Sequence, residues 1–194
     1  MARKTQISKE IILDAAFVML IRDGYAAINI TSLSKSIGCS TQPIAWHFGN
    51  MDTLRAELLE HCLLFLKDHF VIEEKSVADS LEEIAIRYIE LALYYPNLYK
   101  YLYMSEQEGK KMLTIAEDLR ALSHEKVVHM LKEEHGLEKE KAETYLLNMQ
   151  FYVHGIASFA GTEILFSTKE GIIQMVRNAS RAFLKDLKQE QESE

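Results

Sequence analysis

Both prolines of this 194-residue chain, Pro43 and Pro96, stand where a helix would begin rather than where one would have to continue. Proline has no N–H to lose in a helix's first turn, so neither residue interrupts a helical period. Eight glycines add few further breaks. No stretch shows the apolar–polar alternation of a half-buried strand. The fold is therefore read as all-α, with about nine helices by their periods. A hydrophobic content of 48% is enough for a real core.

Taken in order, Ser8 caps a first helix, with Ile7 and Ile12 placed as a hydrophobic staple. Ile11, Ile12, Ala15, Ala16, Met19 and Leu20 give that helix one apolar face, ending near Asp23-Gly24. Asn29 caps a second helix. Ile30, Leu33 and Ile37 follow at helical spacing until Gly38, a residue suited to the left-handed conformation that ends a helix. Ser40 caps a third helix, with Pro43 in its first turn and Ile44 and Phe48 four apart on one face. Two short helices around a glycine turn match a helix-turn-helix, whose second helix enters the major groove of DNA. An ordinary helical hairpin is the plainer alternative.

A fourth helix starts at Asn50-Met51-Asp52 and carries Leu54, Leu58, Cys62, Phe65 and Leu66 along one face, ending near Val71–Ser76. A fifth covers about Ser80 to Tyr95, a sixth Pro96 to about Met104, and Ser105–Lys111 is a polar loop. The seventh runs about Leu113 to Glu134, stopped at His135-Gly136. The eighth, about Lys139 to Phe166, is long and unusually apolar. The ninth follows Thr168, and the charged tail Lys188–Glu194 is expected to fray. Organisation is read as residues 1–51, a three-helix DNA-binding domain, and 52–194, a helical ligand-binding and dimerisation domain.

The formal charge of −7 argues against a nucleic-acid partner until its distribution is considered. Arg3, Lys4, Lys9, Arg22 and Lys35 against Glu10, Asp14 and Asp23 leave residues 1–51 at +2 and the remainder at −9. A mildly basic head on an acidic body fits DNA binding by the head alone. Two cysteines, Cys39 and Cys62, with no apolar signal segment point to a reducing cytoplasm. Leu146–Phe166 contains Asn148, Gln150, His154 and Glu163, too polar for a membrane span.

The third helix offers short polar and apolar groups. Gln42 can pair bidentately with adenine, Thr41 can bond a base or pack its methyl on thymine, and Pro43 and Ala45 can make apolar thymine contacts. Trp46 and His47 can donate to phosphate, as can Ser40 and Thr41 in addition to capping. Lys35 is either a phosphate contact or a solvated charge. An all-α metal enzyme is the rival class. His124 and His129 are five apart, where two ligands on one helix face need i, i+4. The i, i+4 pairs Glu57–His61 and Glu125–His129 read as surface pairs, and His154 reads as a satisfied core histidine. No catalytic residue, metal ligand or cofactor is expected.

The succession Ile12-Leu13-Asp14-Ala15-Ala16, Gly24-Tyr25, Ile30 with Leu33, Gly38-Cys39-Ser40, Trp46-His47-Phe48 and Leu54 resembles the TetR/AcrR family of transcriptional regulators. Further on, Tyr95-Pro96-Asn97-Leu98-Tyr99 resembles the His-Pro-x-Leu-Tyr element of a WHG-type C-terminal domain. Val153-His154-Gly155-Ile156-Ala157 resembles its Trp-His-Gly core, with Val153 replacing the usual Trp. The resemblance implies a ligand-responsive repressor that binds a palindromic operator as a homodimer through helices 8 and 9. It also implies a fourth helix that shifts like a pendulum when effector binds. It makes Thr31, where some members carry a base-contacting Arg, a further DNA-facing position. Two departures stand out: Ala45 replaces a Tyr and Met51 a Lys, both commonly phosphate contacts in that family. A helical adaptor that has lost DNA binding is therefore kept as an alternative.

The dimer face is expected to include Phe151, Gly155, Ser158, Phe159, Thr162, Met175 and Phe183, because small residues let helices approach and the bulky ones bury area. Tyrosines crowd helices 5 and 6. Tyr88, Tyr95, Tyr99, Tyr103, Met130 and Met149 are read as candidates for the pocket of a small lipophilic or aromatic effector, although plain packing would use the same residues.

Overall fold

The computed structural model of the protein describes residues 7–69, 77–104, 125–160 and 168–193. Among these residues there is no strand. The helices are α1 (Lys9–Asp23), α2 (Ile30–Ile37), α3 (Gln42–Phe48), α4 (Met51–His69), α5 (Val77–Tyr94), α6 (Pro96–Tyr103), α7 (125–135), α8 (Lys139–Ala160) and α9 (Lys169–Ser193), with one 3-10 turn at Tyr25–Ala27. The expected all-α fold with about nine helices is what is found.

The chain divides into two compact units, Met1–Asp68 with Tyr95–Ser105, and His69–Tyr94 with Glu106–Glu194. In the first unit α1 is central, packing on α2, α3, α6 and the 3-10 turn. Its apolar face puts Ile12, Ala16 and Leu20 out of contact with water, together with Leu33, Leu54 and Leu58. Burial of that kind stabilises by about 1.5–3 kcal/mol per large aliphatic side chain. Ser8 caps α1 as expected, accepting from the Ile11 N–H at 3.3 Å. The link between α1 and α4 is partly ionic. Lys9 meets Glu57 at 2.6 Å and Asp14 meets His61 at 3.5 Å, so Glu57 and His61, expected to pair with each other, reach across to α1 instead. Cys62 lies in this core, and burial pushes its thiol up to about 12.

Sequence placed the sixth helix in the body, yet α6 packs against α1. The cause is specific. The Asn97 amide donates to the Ile21 carbonyl at 3.0 Å and the Arg22 carbonyl at 3.4 Å, the end of α1 where carbonyls have no helical partner. Beside it Tyr101 stacks on Tyr25 with centroids 4.8 Å apart, and the Arg55 guanidinium lies over the Tyr25 ring at 5.6 Å.

The second unit is built on α5, α8 and α9, which pack pairwise. Tyr145, fully buried, shares a 2.7 Å hydrogen bond with Ser180, and Arg177 forks onto Glu82 at 2.6 and 2.7 Å. Gly136, at φ 68°, ends α7 where His135-Gly136 had marked a stop. The charged tail, read as prone to fray, is helical as far as Ser193. Leu187 is buried there, Lys141 pairs with Glu190, and the Gln191 amide both accepts from the Glu138 N–H and donates to the Gly136 carbonyl. The expected boundaries at Val71–Ser76 and Ser105–Lys111, the start of the seventh helix and the last residues of the eighth lie outside the described residues.

Candidate nucleic-acid interface

Local rules position α2 and α3. Asn29, in extended conformation, accepts from the N–H groups of Thr31 and Ser32 at 3.1 and 3.0 Å, and the Asn29 N–H donates back to the Ser32 hydroxyl at 3.2 Å. This reciprocal capping box satisfies donors that α2 itself leaves open. At the other end Gly38 is left-handed at φ 76°, and its N–H and that of Cys39 return to the carbonyls of Lys35 and Ser34. A side chain at that φ would be strained, which is why glycine makes the turn.

The start of α3 departs from expectation. Thr41, not Ser40, occupies the cap position, already near helical dihedrals, and no side chain caps the helix. Pro43 in the first turn needs no cap for an N–H it lacks. Gly49, at φ 72°, closes α3 with its N–H on the Ala45 carbonyl, and Asn50 caps α4 by accepting from the Thr53 N–H at 2.9 Å.

Ile44 and Phe48 anchor α3 in the core, at 2% and 4% exposure. Thr41, Gln42, Ala45 and Trp46 all lie exposed, with Pro43 half-buried. The helical period thus separates anchor from display. Trp46 is 73% exposed and sits edge-on to the His47 ring, with centroids 4.5 Å apart. His47 is different. Its Nε2 lies 2.9 Å from the Ile7 carbonyl, which can only accept, so Nε2 carries a proton and donates it. That nitrogen ties the start of the chain to α3. On α2, Thr31 and Lys35 are exposed, as is Ser40 in the turn. Ala45 presents only a methyl, and Met51 is half-buried at the start of α4.

The other candidate residues sort by unit. On α8, Leu147, Phe151 and Phe159 are exposed at 48%, 67% and 53%, and a Cβ on Gly155 would meet nothing within 4 Å. Ser158, Met175 and Phe183 are half-buried, the last against Tyr152 with ring centroids 6.3 Å apart, and Thr162 lies outside the described residues. Of the effector-pocket candidates, Tyr95, Tyr99 and Tyr103 belong to the first unit. Tyr95 stands edge-on to Phe65 at 5.6 Å, and Tyr99 is buried against Tyr103 at 5.5 Å. Tyr88, Met130 and Met149 belong to the second, where the Tyr88 hydroxyl bonds His154 Nδ1 at 2.7 Å. That bond satisfies His154 in the way its apolar helix suggested. A cavity of about 110 Å³ lies in the second unit between Ile86, Leu93, Ala160 and Ile172, and none of the six candidates lines it.

Comparison with known proteins places this geometry. No family model matches the chain. The uncharacterised HTH-type transcriptional regulator YobS of Bacillus subtilis (strain 168) is 22% identical over 190 residues, 96% of each chain. A TetR-like transcriptional regulator from Rhodococcus sp. RHA1 superposes with a TM-score of 0.68 at 12% identity, over 95% of this chain and 98% of that one. A TetR variant from Acinetobacter baumannii AYE, solved in complex with minocycline, gives 0.55 at 15% identity, over 94% and 97%.

Proposed function

We propose, from the premise that this chain is a helix-turn-helix regulator with the TetR fold, that it is a ligand-responsive repressor binding a palindromic operator as a homodimer. The observation that carries the reading is the face of α3: Ile44 and Phe48 are buried while Thr41, Gln42, Ala45 and Trp46 stand clear of the protein. A helix held from behind by two apolar anchors and bare in front is what a major groove admits. Thr31, Lys35 and Ser40 supply positioning contacts to phosphate, while Gln42 and Thr41 read base edges.

One head makes few such contacts. Two heads on a dimer read two half-sites about 34–36 Å apart, or multiples of it. The exposed Leu147, Phe151 and Phe159 on α8, with open space at Gly155, support a second copy as the partner, with Ser158, Met175 and Phe183 completing the face. Effector binding in the second unit shifts the equilibrium only if it favours one arrangement of the heads. The reading gives the chain no catalytic step and no cofactor, and places it in the cytoplasm. Among the described residues no helix is long and apolar enough to cross a membrane.

The test is electrophoretic retardation of a random duplex pool by the full chain over a salt series, with sedimentation of the free protein. A retarded complex that weakens steeply with salt, formed by a dimer, is expected. A monomer that retards nothing at low salt overturns the reading in favour of a helical adaptor, for which the methyl of Ala45 and the uncharged Met51 are the supporting residues.

A further inference from the structure

We infer that the base pairs under α3 are A·T pairs, selected by thymine methyl groups and one adenine edge, and that Trp46 and Ala45 form the methyl-reading surface. This rests on the proposed DNA reading and names what that interface selects.

The argument is one of chemical inventory. Guanine is most often specified by a bidentate Arg or Lys on O6 and N7, and cytosine by an Asp or Glu accepting from N4. Between Lys35 and Arg55 the chain contains neither lysine nor arginine, and Asp52 is the only acid in that interval. Neither flanking charge replaces them. Asp52 lies in α4 and accepts from Arg55 at 3.2 Å. Arg55 extends over the Tyr25 ring on the side of the 3-10 turn. His47 has a donor to offer, but its Nε2 is bonded to the Ile7 carbonyl. Lys35 lies on α2, a helix ahead of the reading face.

What remains in front of α3 is the Gln42 amide, the Thr41 hydroxyl and methyl, the Pro43 ring, the Ala45 methyl and the Trp46 indole. A Gln amide matches the adenine N6–N7 edge, and apolar groups match the thymine C5-methyl. Three of the five displayed groups are apolar, and the largest of them, the indole, is 73% exposed. An A·T run lines one wall of the major groove with methyls, so each apolar contact removes surface from water on both partners. A G·C pair at the same place would leave its carbonyl or amino group facing carbon, a desolvation without a bond.

The experiment selects duplexes from a random pool with the full chain and reads Trp46 fluorescence on binding, Trp46 being the only tryptophan. Half-sites rich in A·T over about three to four base pairs are expected. Replacing dT by dU there removes methyls and nothing else, and should weaken binding about fourfold per contacted methyl. Trp46→Ala, an exposed substitution, should shrink that penalty, and Gln42→Ala should reduce the preference for adenine at one position about tenfold. Binding to half-sites with G·C pairs at these positions, or a dU duplex bound as tightly as the dT one, overturns this inference and leaves the regulator reading standing. Failure to bind any duplex at low salt overturns both.

Discussion

In the unit that carries α2 and α3, most polar side chains bond close to home: Asn29 to Thr31 and Ser32, Asn50 to Thr53, Ser34 to the Thr31 carbonyl. In the unit built on α5, α8 and α9 local bonds such as Gln174 to Asn178 are joined by many that reach far: Arg177 to Glu82, Tyr88 to His154, Tyr145 to Ser180, Gln191 to the backbone around Gly136. The first unit's helices are thus shaped mainly by neighbours in sequence, and only apolar anchors and a few contacts set them together. The second unit's helices are shaped by periodicity and assembled by pairs distant along the chain. A unit built from local caps can change the exposed side chains of α3 with little disturbance to its own fold, since none of those of Thr41, Gln42, Ala45 or Trp46 makes a capping hydrogen bond.

The sharpest way to break this contrast is Tyr145→Ala. It removes a fully buried ring and its bond to Ser180, and should cost about 3–5 kcal/mol of the second unit's stability by denaturant unfolding. The first unit should keep its Cys62 silent toward thiol reagents, because burial holds that thiol protonated. If Cys62 becomes reactive in native Tyr145→Ala, the two units are not separately held and the comparison fails.

Asn97→Ala comes next. It strips the donor from the last carbonyls of α1 and should cost about 1.5 kcal/mol, seen as faster hydrogen exchange in α1 and α6 with α8 unaffected. Asn29→Ala tests the local side of the contrast. Loss of the capping box should cost about 1 kcal/mol, with fraying confined to the first turn of α2. The smallest effect is one of pH. His135 Nε2 is buried without a partner among the described residues, and burial followed by the Lys188 charge holds the imidazole below its ordinary value of 6.5. The unfolded chain therefore takes up the proton first. The stability it contributes is complete above about pH 6.5 and is lost as pH falls below it, loosening the α7–α8 turn. His135→Gln should flatten that pH dependence in an exchange experiment across the turn, and an unchanged slope would remove His135 as its source.

What could be read from the sequence follows the same division. Asn29, Gly38, Gly24 and Gly136 were legible because a cap or a left-handed turn is dictated within a few residues. The exposed face of α3 was legible because Ile44 and Phe48, four apart, fix which side of the helix is buried. The absence of a side-chain cap on α3 was not, since Ser40 and Thr41 both suit the position and only backbone dihedrals choose between them. His47 looked like a phosphate donor, and nothing at its own position points to Ile7, forty residues earlier. The extension of α9 through a charged tail depended on Gln191 and Glu190 finding partners on α8 and in the turn before it, a pairing no window along the chain can contain. The placement of α6 escaped for the same reason, because Asn97 gives no local sign that it will finish a helix begun at Lys9.

That placement has a consequence for anyone wishing to borrow the head. Met1–Asp68 and Tyr95–Ser105 form one unit from two separate stretches, so the backbone leaves it, returns and leaves again. A protein truncated after α4 loses the amide that closes α1 and the ring that covers Tyr25. Transplanting only the N-terminal stretch onto another body would therefore carry over α2 and α3 but strand their support. A chimaera that keeps this unit intact has to bring α6 along as a second insert, or supply its Asn and Tyr from the recipient scaffold.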